Sequence, residues 1–167
     1  MRNLLKLPEE LPPHPRVFAT GDDIARIRSL KNEKWVQTAT KRLLLAADTA
    51  YEPVGHLDED ADPEKNGTWI HQCMRQALAY HLTDDEKYYE RALNDLRIIS
   101  EAYLAWPILQ GHIRAASYGL AESRFTIKFA GVYDLLAGTA LKDADRSLFE
   151  EALAHTRDTT NRCQHWT

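Results

Sequence analysis

Cysteine is nearly missing from this sequence, with two in 167 residues, Cys73 and Cys163. Two thiols cannot build the disulfide framework that holds small secreted domains together, and Cys73, placed on an apolar helical stripe, reads as a buried free thiol. Long apolar runs are also lacking. The longest centres on Leu43–Ala47, far short of the ~20 residues that span a bilayer, so no membrane partner is expected. The strict apolar–polar alternation of half-buried strands does not occur, and this excludes a sheet protein. A glycine-rich phosphate loop, a Gly-x-Ser-x-Gly elbow and a Cys–His nucleophile pair are missing too. His56, His71 and His81 lack the i, i+4 spacing of a helical zinc site, and no carboxylate completes a ligand set. No metal or other cofactor is implied.

Clustered charge of one sign is equally scarce. The formal net charge is −4 and evenly spread, which argues against nucleic acid as a partner, because counterion release needs a basic face. It does not argue against a polyanionic sugar, since a local basic cleft can coexist with a mildly acidic shell. The N-terminus, Met1-Arg-Asn-Leu-Leu-Lys-Leu-Pro, has only a token apolar stretch and is not a secretory signal as written.

What is present is helical periodicity in a chain 44% hydrophobic and 28% charged, ordinary values for a globular domain. Residues Leu4–Val17, with Pro8, Pro12, Pro13 and Pro15, read as an extended lead-in, counted to residue 19. Thr20 can cap a first helix carrying Ile24, Ile27 and Leu30, with Asp22 and Asp23 at the positive end of its dipole. A second helix is expected from about Glu33 to Tyr51, its stripe made of Trp35, Val36, Ala39, Leu43, Ala46 and Ala47. Pro53 to Gly67 reads as a loop whose acid run Asp58–Asp62 is a solvated face. A third helix follows from about Thr68 to Leu82 with Ile70, Cys73, Met74, Ala77 and Leu78 inward. Thr83 with Glu86 reads as a capping box that opens a fourth helix, running to Ala105. Its buried face is Tyr88, Ala92, Leu93, Leu96, Ile99 and Tyr103. A fifth helix spans about Ala115–Leu136 with Leu120, Phe125, Ile127, Phe129, Val132, Tyr133 and Leu136, and Gly138 occupies its C-cap position. The last starts near Asp143 and carries Leu148, Phe149 and Leu153. The fold class is all-α, about six helices joined in hairpins. No 34-residue period recurs, which argues against a strict tetratricopeptide solenoid.

Three stretches carry a family resemblance. His14-Pro-Arg-Val-Phe-Ala-Thr-Gly-Asp-Asp-Ile-Ala-Arg-Ile-Arg, with Trp35 beyond it, is similar to the opening of heparinase II/III-like and alginate lyase proteins. The segment Ala77–Leu93 resembles that group's Leu-Ala-Tyr-x-Leu-Thr-Gly-Asp-Glu-x-Tyr, with Asp84 where Gly is usual. Tyr133-Asp-Leu-Leu, then Asp145-Arg and an Ala-Leu helix, resembles the next landmark. The match runs from about Pro13 to Thr167. It implies an (α/α) toroid followed by β-sheet domains, so residues 20–167 are expected to form an incomplete (α/α) toroid, truncated at Asn161-Arg-Cys-Gln-His-Trp-Thr, with an exposed apolar edge open to association. It also implies export to a secreted or periplasmic location, although no leader is visible.

The resemblance further implies β-elimination at the 4-position of a uronic acid in alginate or a glycosaminoglycan. That chemistry needs a group to neutralise the C5 carboxylate, a base for the C5 proton and an acid for the leaving oxygen. Gln164 and His165 lie near the family's Asn/His position and are the candidates for contact with the carboxylate; a disordered chain end is the alternative for His165. Arg114, Tyr118, Glu122 and Arg124 form a second group. Tyr118 and Glu122 share a helical face, with Arg114 one turn before. They could line an anionic sugar site, Arg supplying bidentate contact, or be an intrahelical pair beside a core-edge Tyr. In the third helix Trp69 could stack on a sugar ring or plug the core, and Gln72 and Arg75 fall on one face as further substrate-binding candidates. The usual catalytic base would lie beyond Thr167, so this chain alone is expected to be inactive. The rival reading is a non-catalytic helical carbohydrate-binding or scaffold domain. A glycoside hydrolase on the same toroid would need two carboxylates across the cleft, and no distinctive pair is evident.

Overall fold

The computed structural model describes residues 11–49, 63–105 and 114–163, with side chains described in those ranges except at 63–68, 114–125 and 156–163. Among the described residues the chain is all-helical: α1 (Gly21–Ser29), α2 (Lys34–Asp48), α3 (Pro63–Thr83), α4 (Glu86–Ala105), α5 (Arg114–Ala137) and α6 (Asp143–Cys163). Thr20 caps α1 as its sequence position suggests. Its hydroxyl accepts the Asp23 N–H at 3.2 Å while the Asp23 carboxylate accepts the Thr20 N–H at 3.1 Å, a reciprocal box that holds the Asp23 carboxyl below its ordinary range.

Two boundaries depart from expectation. α3 starts at Pro63, so Pro63–Gly67 is helix rather than loop. Proline suits the first helical position, where its missing N–H would have had no intrahelical partner; the rest of the expected loop, with the acid run Asp58–Asp62, lies outside the described residues. The α3–α4 turn is also built differently from a Thr83–Glu86 box. Thr83 is the last residue of α3 and its hydroxyl donates back to Ala79 O at 2.7 Å. Asp84 adopts φ 58°, and its N–H closes the helix on Tyr80 O at 2.8 Å. This left-handed closing residue is where glycine is easiest. Asp85, not Thr83, caps α4 by accepting the Lys87 N–H at 3.2 Å.

α3 is the organising element. It packs on α4, α5 and α2 and touches α1, while α6 closes the other side against α4 and α5. The core between α3, α4, α5 and α6 is filled by Trp69, Ile70, Leu96, Ile99, Phe129, Leu136 and Phe149, all essentially without exposed surface. The Tyr103 and Phe129 rings stack with centroids 6.3 Å apart. A bidentate ion pair crosses from α4 to α6: Arg97 Nε and Nη2 donate to Asp145 Oδ1 and Oδ2 at 2.6 and 2.8 Å. Arg97 thereby holds the Asp145 carboxyl below its usual range.

The inward faces of α1, α3, α4 and α6 agree with the periodicity; on α2 and α5 it fails at Ala39, which is exposed, and at two aromatic or branched positions. Trp35 is 62% exposed and Ile127 is 56% exposed. On α2 the buried positions are Val36 and Ala47 with Leu44 partly covered, and Trp35, one residue and about 100° away from Val36, turns to solvent. Ile127 lies about 200° around α5 from Phe129 and so on the opposite face from the stripe Phe129–Leu136. Leu120 and Phe125 belong to the part of α5 whose side chains are not described.

The lead-in is sewn onto α5. Asp134, 2% exposed, accepts three hydrogen bonds: from the His14 ring Nδ1 at 2.5 Å, the Arg16 N–H at 2.7 Å and the Val17 N–H at 2.8 Å. Gly138 ends α5 as expected, but outside the left-handed region. A Cβ there would sit 2.7 Å from Pro15 Cδ and 2.9 Å from His14 O. Close approach of the lead-in, not a left-handed cap, is what this glycine permits.

Candidate anion-binding face

Of the residues expected to bind a sugar, Arg75 is the one whose described side chain is exposed. Trp69 and Gln72 are occupied within the fold. The Trp69 ring has no exposed surface, and its indole N–H is directed at Asp95, whose carboxyl is pushed up to about 6, chiefly by burial. Gln72 donates through Nε2 to Ala46 O and Ala47 O, both at 3.0 Å. These are carbonyls in the last turn of α2, which lack intrahelical partners. Because the amide nitrogen must face two carbonyls, Gln72 Oε1 is turned outward, and there it accepts from Arg75 Nη1 at 3.3 Å. Gln72 thus positions the Arg75 guanidinium against a rigid helix end. Arg114, Tyr118, Glu122 and Arg124 lie on the first half of α5, where the side chains are outside the described set, and Gln164 and His165 are outside the described residues altogether.

Two residues not singled out as sugar ligands join Arg75. His71, one turn before it on α3, is exposed, and its Nε2 accepts a hydrogen bond from Lys128 Nζ of α5. A lysine can only donate, so this contact requires His71 to be neutral at Nε2. Burial, then the charges of Lys128 and Arg75, hold the His71 pKa below the usual imidazole value. The pair His71–Arg75 at i, i+4 was legible in the helical period. The approach of Lys128, 57 positions away in sequence, comes from the packing of α3 on α5.

A second feature lies apart from these residues: a groove of about 560 Å³ between α1 and α2, with Ile27, Val36 and Leu44 on its walls and Lys31 and Lys41 among its lining. Its other cation, Arg28, is engaged by Asp84 Oδ1 at 2.6 Å and by His81 O at 2.6 Å. Among the described residues no group of His, Cys, Asp and Glu could hold a metal ion, and no helix is long and apolar enough to cross a membrane. Cys73 is enclosed, its Sγ donating to Ala92 O at 3.2 Å, and burial raises its pKa well above that of a free thiol. Comparison of the chain with protein-family models, with characterised proteins and with solved structures returned no match.

Proposed function

We propose that this chain is the helical N-terminal part of a polysaccharide lyase that cleaves uronic-acid-containing glycans, of the alginate or glycosaminoglycan type, by β-elimination. In this reading the hairpins α3–α4 and α5–α6 are units of an (α/α) toroid. The observation that carries the ligand chemistry is the convergence of Arg75, His71 and Lys128 from two helices onto one face of a chain whose net charge is −4. Basic groups gathered against the overall charge favour an anionic ligand, and a guanidinium oriented by Gln72 suits the planar carboxylate of a uronate. The family reading draws its support from the ordered motifs; two of them, His14-Pro-Arg and Tyr133-Asp, meet in the Asp134 anchor.

The test is incubation of the chain with alginate, heparin and hyaluronan, following ultraviolet absorbance of the unsaturated uronate product alongside binding measured by calorimetry. Binding to a uronate glycan is expected, weakened at least about tenfold by Arg75→Ala, the scale of one charge-assisted bidentate contact. Binding without product favours the non-catalytic carbohydrate-binding alternative for this chain. No binding to any of the three glycans refutes the proposal.

A further inference from the structure

His71 and Lys128 meet across α3 and α5. A half-buried ammonium leans on an exposed imidazole, with an exposed guanidinium one turn away, and the charged groups acting on the ring from α5 and from α3 are both cationic. Among the described residues α1, α2 and α4 contribute no carboxylate to its surroundings. Like charges in contact are tolerated because the ring gives up its proton. The same geometry is complementary to an oxyanion. A carboxylate or sulfate seated between Arg75 and Lys128 would face Nε2 of His71 and favour its protonated, donating form.

We propose that His71, Arg75 and Lys128 form a clasp across α3 and α5 that takes one oxyanion group of an anionic glycan and takes up a proton at His71 as it does so. This deepens the glycan-lyase reading and rests on it for the source of the anion. The proton comes from solvent and the ring goes from neutral to imidazolium, with no covalent change. Lys128 Nζ then turns from the ring to the anion. Gln72 holds Arg75 in place throughout, since its own amide is fixed by the α2 carbonyls. The linkage has a definite sign. In the free protein the ring titrates below the ordinary imidazole range, and in the complex it titrates higher. Affinity is therefore greatest at low pH and falls as pH rises between the two values, by up to about tenfold per pH unit.

The experiment uses the full chain with an alginate tetrasaccharide, which carries carboxylates only, and a heparin tetrasaccharide, which adds sulfates. Calorimetry is run between about pH 5 and 8, and the His71 ring is followed by NMR. Expected results are an upward shift of the His71 titration on ligand addition and affinity that declines with pH. His71→Gln should flatten that decline, and Lys128→Met should raise the His71 titration in the free protein while weakening binding. Lys41→Gln, an equal loss of charge on α2, should change neither the shift nor the slope. Binding of the alginate tetrasaccharide shows that a carboxylate suffices, and binding of the heparin tetrasaccharide alone assigns the oxyanion to sulfate. Binding with a flat pH dependence and an unmoved His71 overturns the clasp while leaving the glycan reading standing. Failure of both tetrasaccharides to bind at any pH overturns both.

Discussion

Removing the Asp134 carboxylate should free the lead-in from the helical core. Asp134→Ala leaves two backbone N–H groups, of Arg16 and Val17, and the His14 ring without the acceptor they meet at 2.7, 2.8 and 2.5 Å. Hydrogen bonds to a charged acceptor are worth about 1.5–3 kcal/mol each when buried. Partial re-exposure of the lead-in to water would return part of that, so we expect a loss of about 3–5 kcal/mol. Against a total stability of about 5–15 kcal/mol for a domain of this kind, that is enough to move a urea midpoint plainly. Asp134→Asn keeps the volume and can keep its oxygen on the Arg16 and Val17 amides, which share one carboxylate oxygen, while its NH2 donates to the His14 Nδ1 in the other neutral tautomer; a smaller loss, about 1–2 kcal/mol, is expected there. Stability is measured by urea unfolding, and hydrogen exchange at the Arg16 and Val17 amides gives the local readout. Both amides should lose protection in Asp134→Ala before the amides of α3 and α4 do. A loss under about 1 kcal/mol in both variants, or unchanged protection at Arg16 and Val17, would refute the assignment of Asp134 as the anchor.

Two further predictions concern the core and its edges. Gly138→Ala should destabilise by about 1–3 kcal/mol, because the added Cβ meets the Pro15 ring and the His14 carbonyl, and backbone must move. Gly131→Ala should be milder, within about 1 kcal/mol, although its Cβ would meet the Phe18 ring at 2.0 Å. Phe18 is 56% exposed and can swing away, and alanine gains helix propensity over glycine. Thermal unfolding of the two variants side by side decides this, and equal losses would contradict it. Asp95, with its carboxyl raised to about 6 from 3.8 by burial, binds a proton more tightly folded than unfolded. Its contribution is therefore present at low pH and is lost as pH rises from about 4 to about 6. Asp95→Asn should gain about 2 kcal/mol relative to the parent at pH 7.5 compared with pH 4.5, read from urea unfolding at the two values; a pH-independent difference would show that Asp95 is not the titrating group.

Periodicity and caps make most of the fold legible in the sequence. The Thr20 cap, the stripe Ile70–Ala77, the face Tyr88–Tyr103 and the start of α6 at Asp143 are local matters, and short-range physics decides them. Where the structure departs from the pattern, the deciding geometry is finer than the period. Trp35 differs from its buried neighbour Val36 by a single step around the helix, and Thr83 yields the cap to Asp85 because Asp84 turns left-handed first. The candidate site was legible in part. Arg75 and Gln72 are recognisable as a same-face pair, but not that Gln72 turns its amide to α2 and its oxygen to Arg75.

The sequence by itself determined that the chain is helical over the described residues, roughly where its helices run and, Trp35, Ala39 and Ile127 apart, which faces seek cover. Those follow from interactions three or four residues apart, whose partners are set once the helix forms. The tertiary structure decided what joins across tens of residues: His14 with Asp134, Arg97 with Asp145, and Lys128 with His71. No local pattern encodes these pairings, because each depends on how α5 lies against the lead-in and α3, and how α6 lies against α4. That placement is the sum of all buried contacts, and it brings Lys128 of α5 beside His71 and Arg75 of α3.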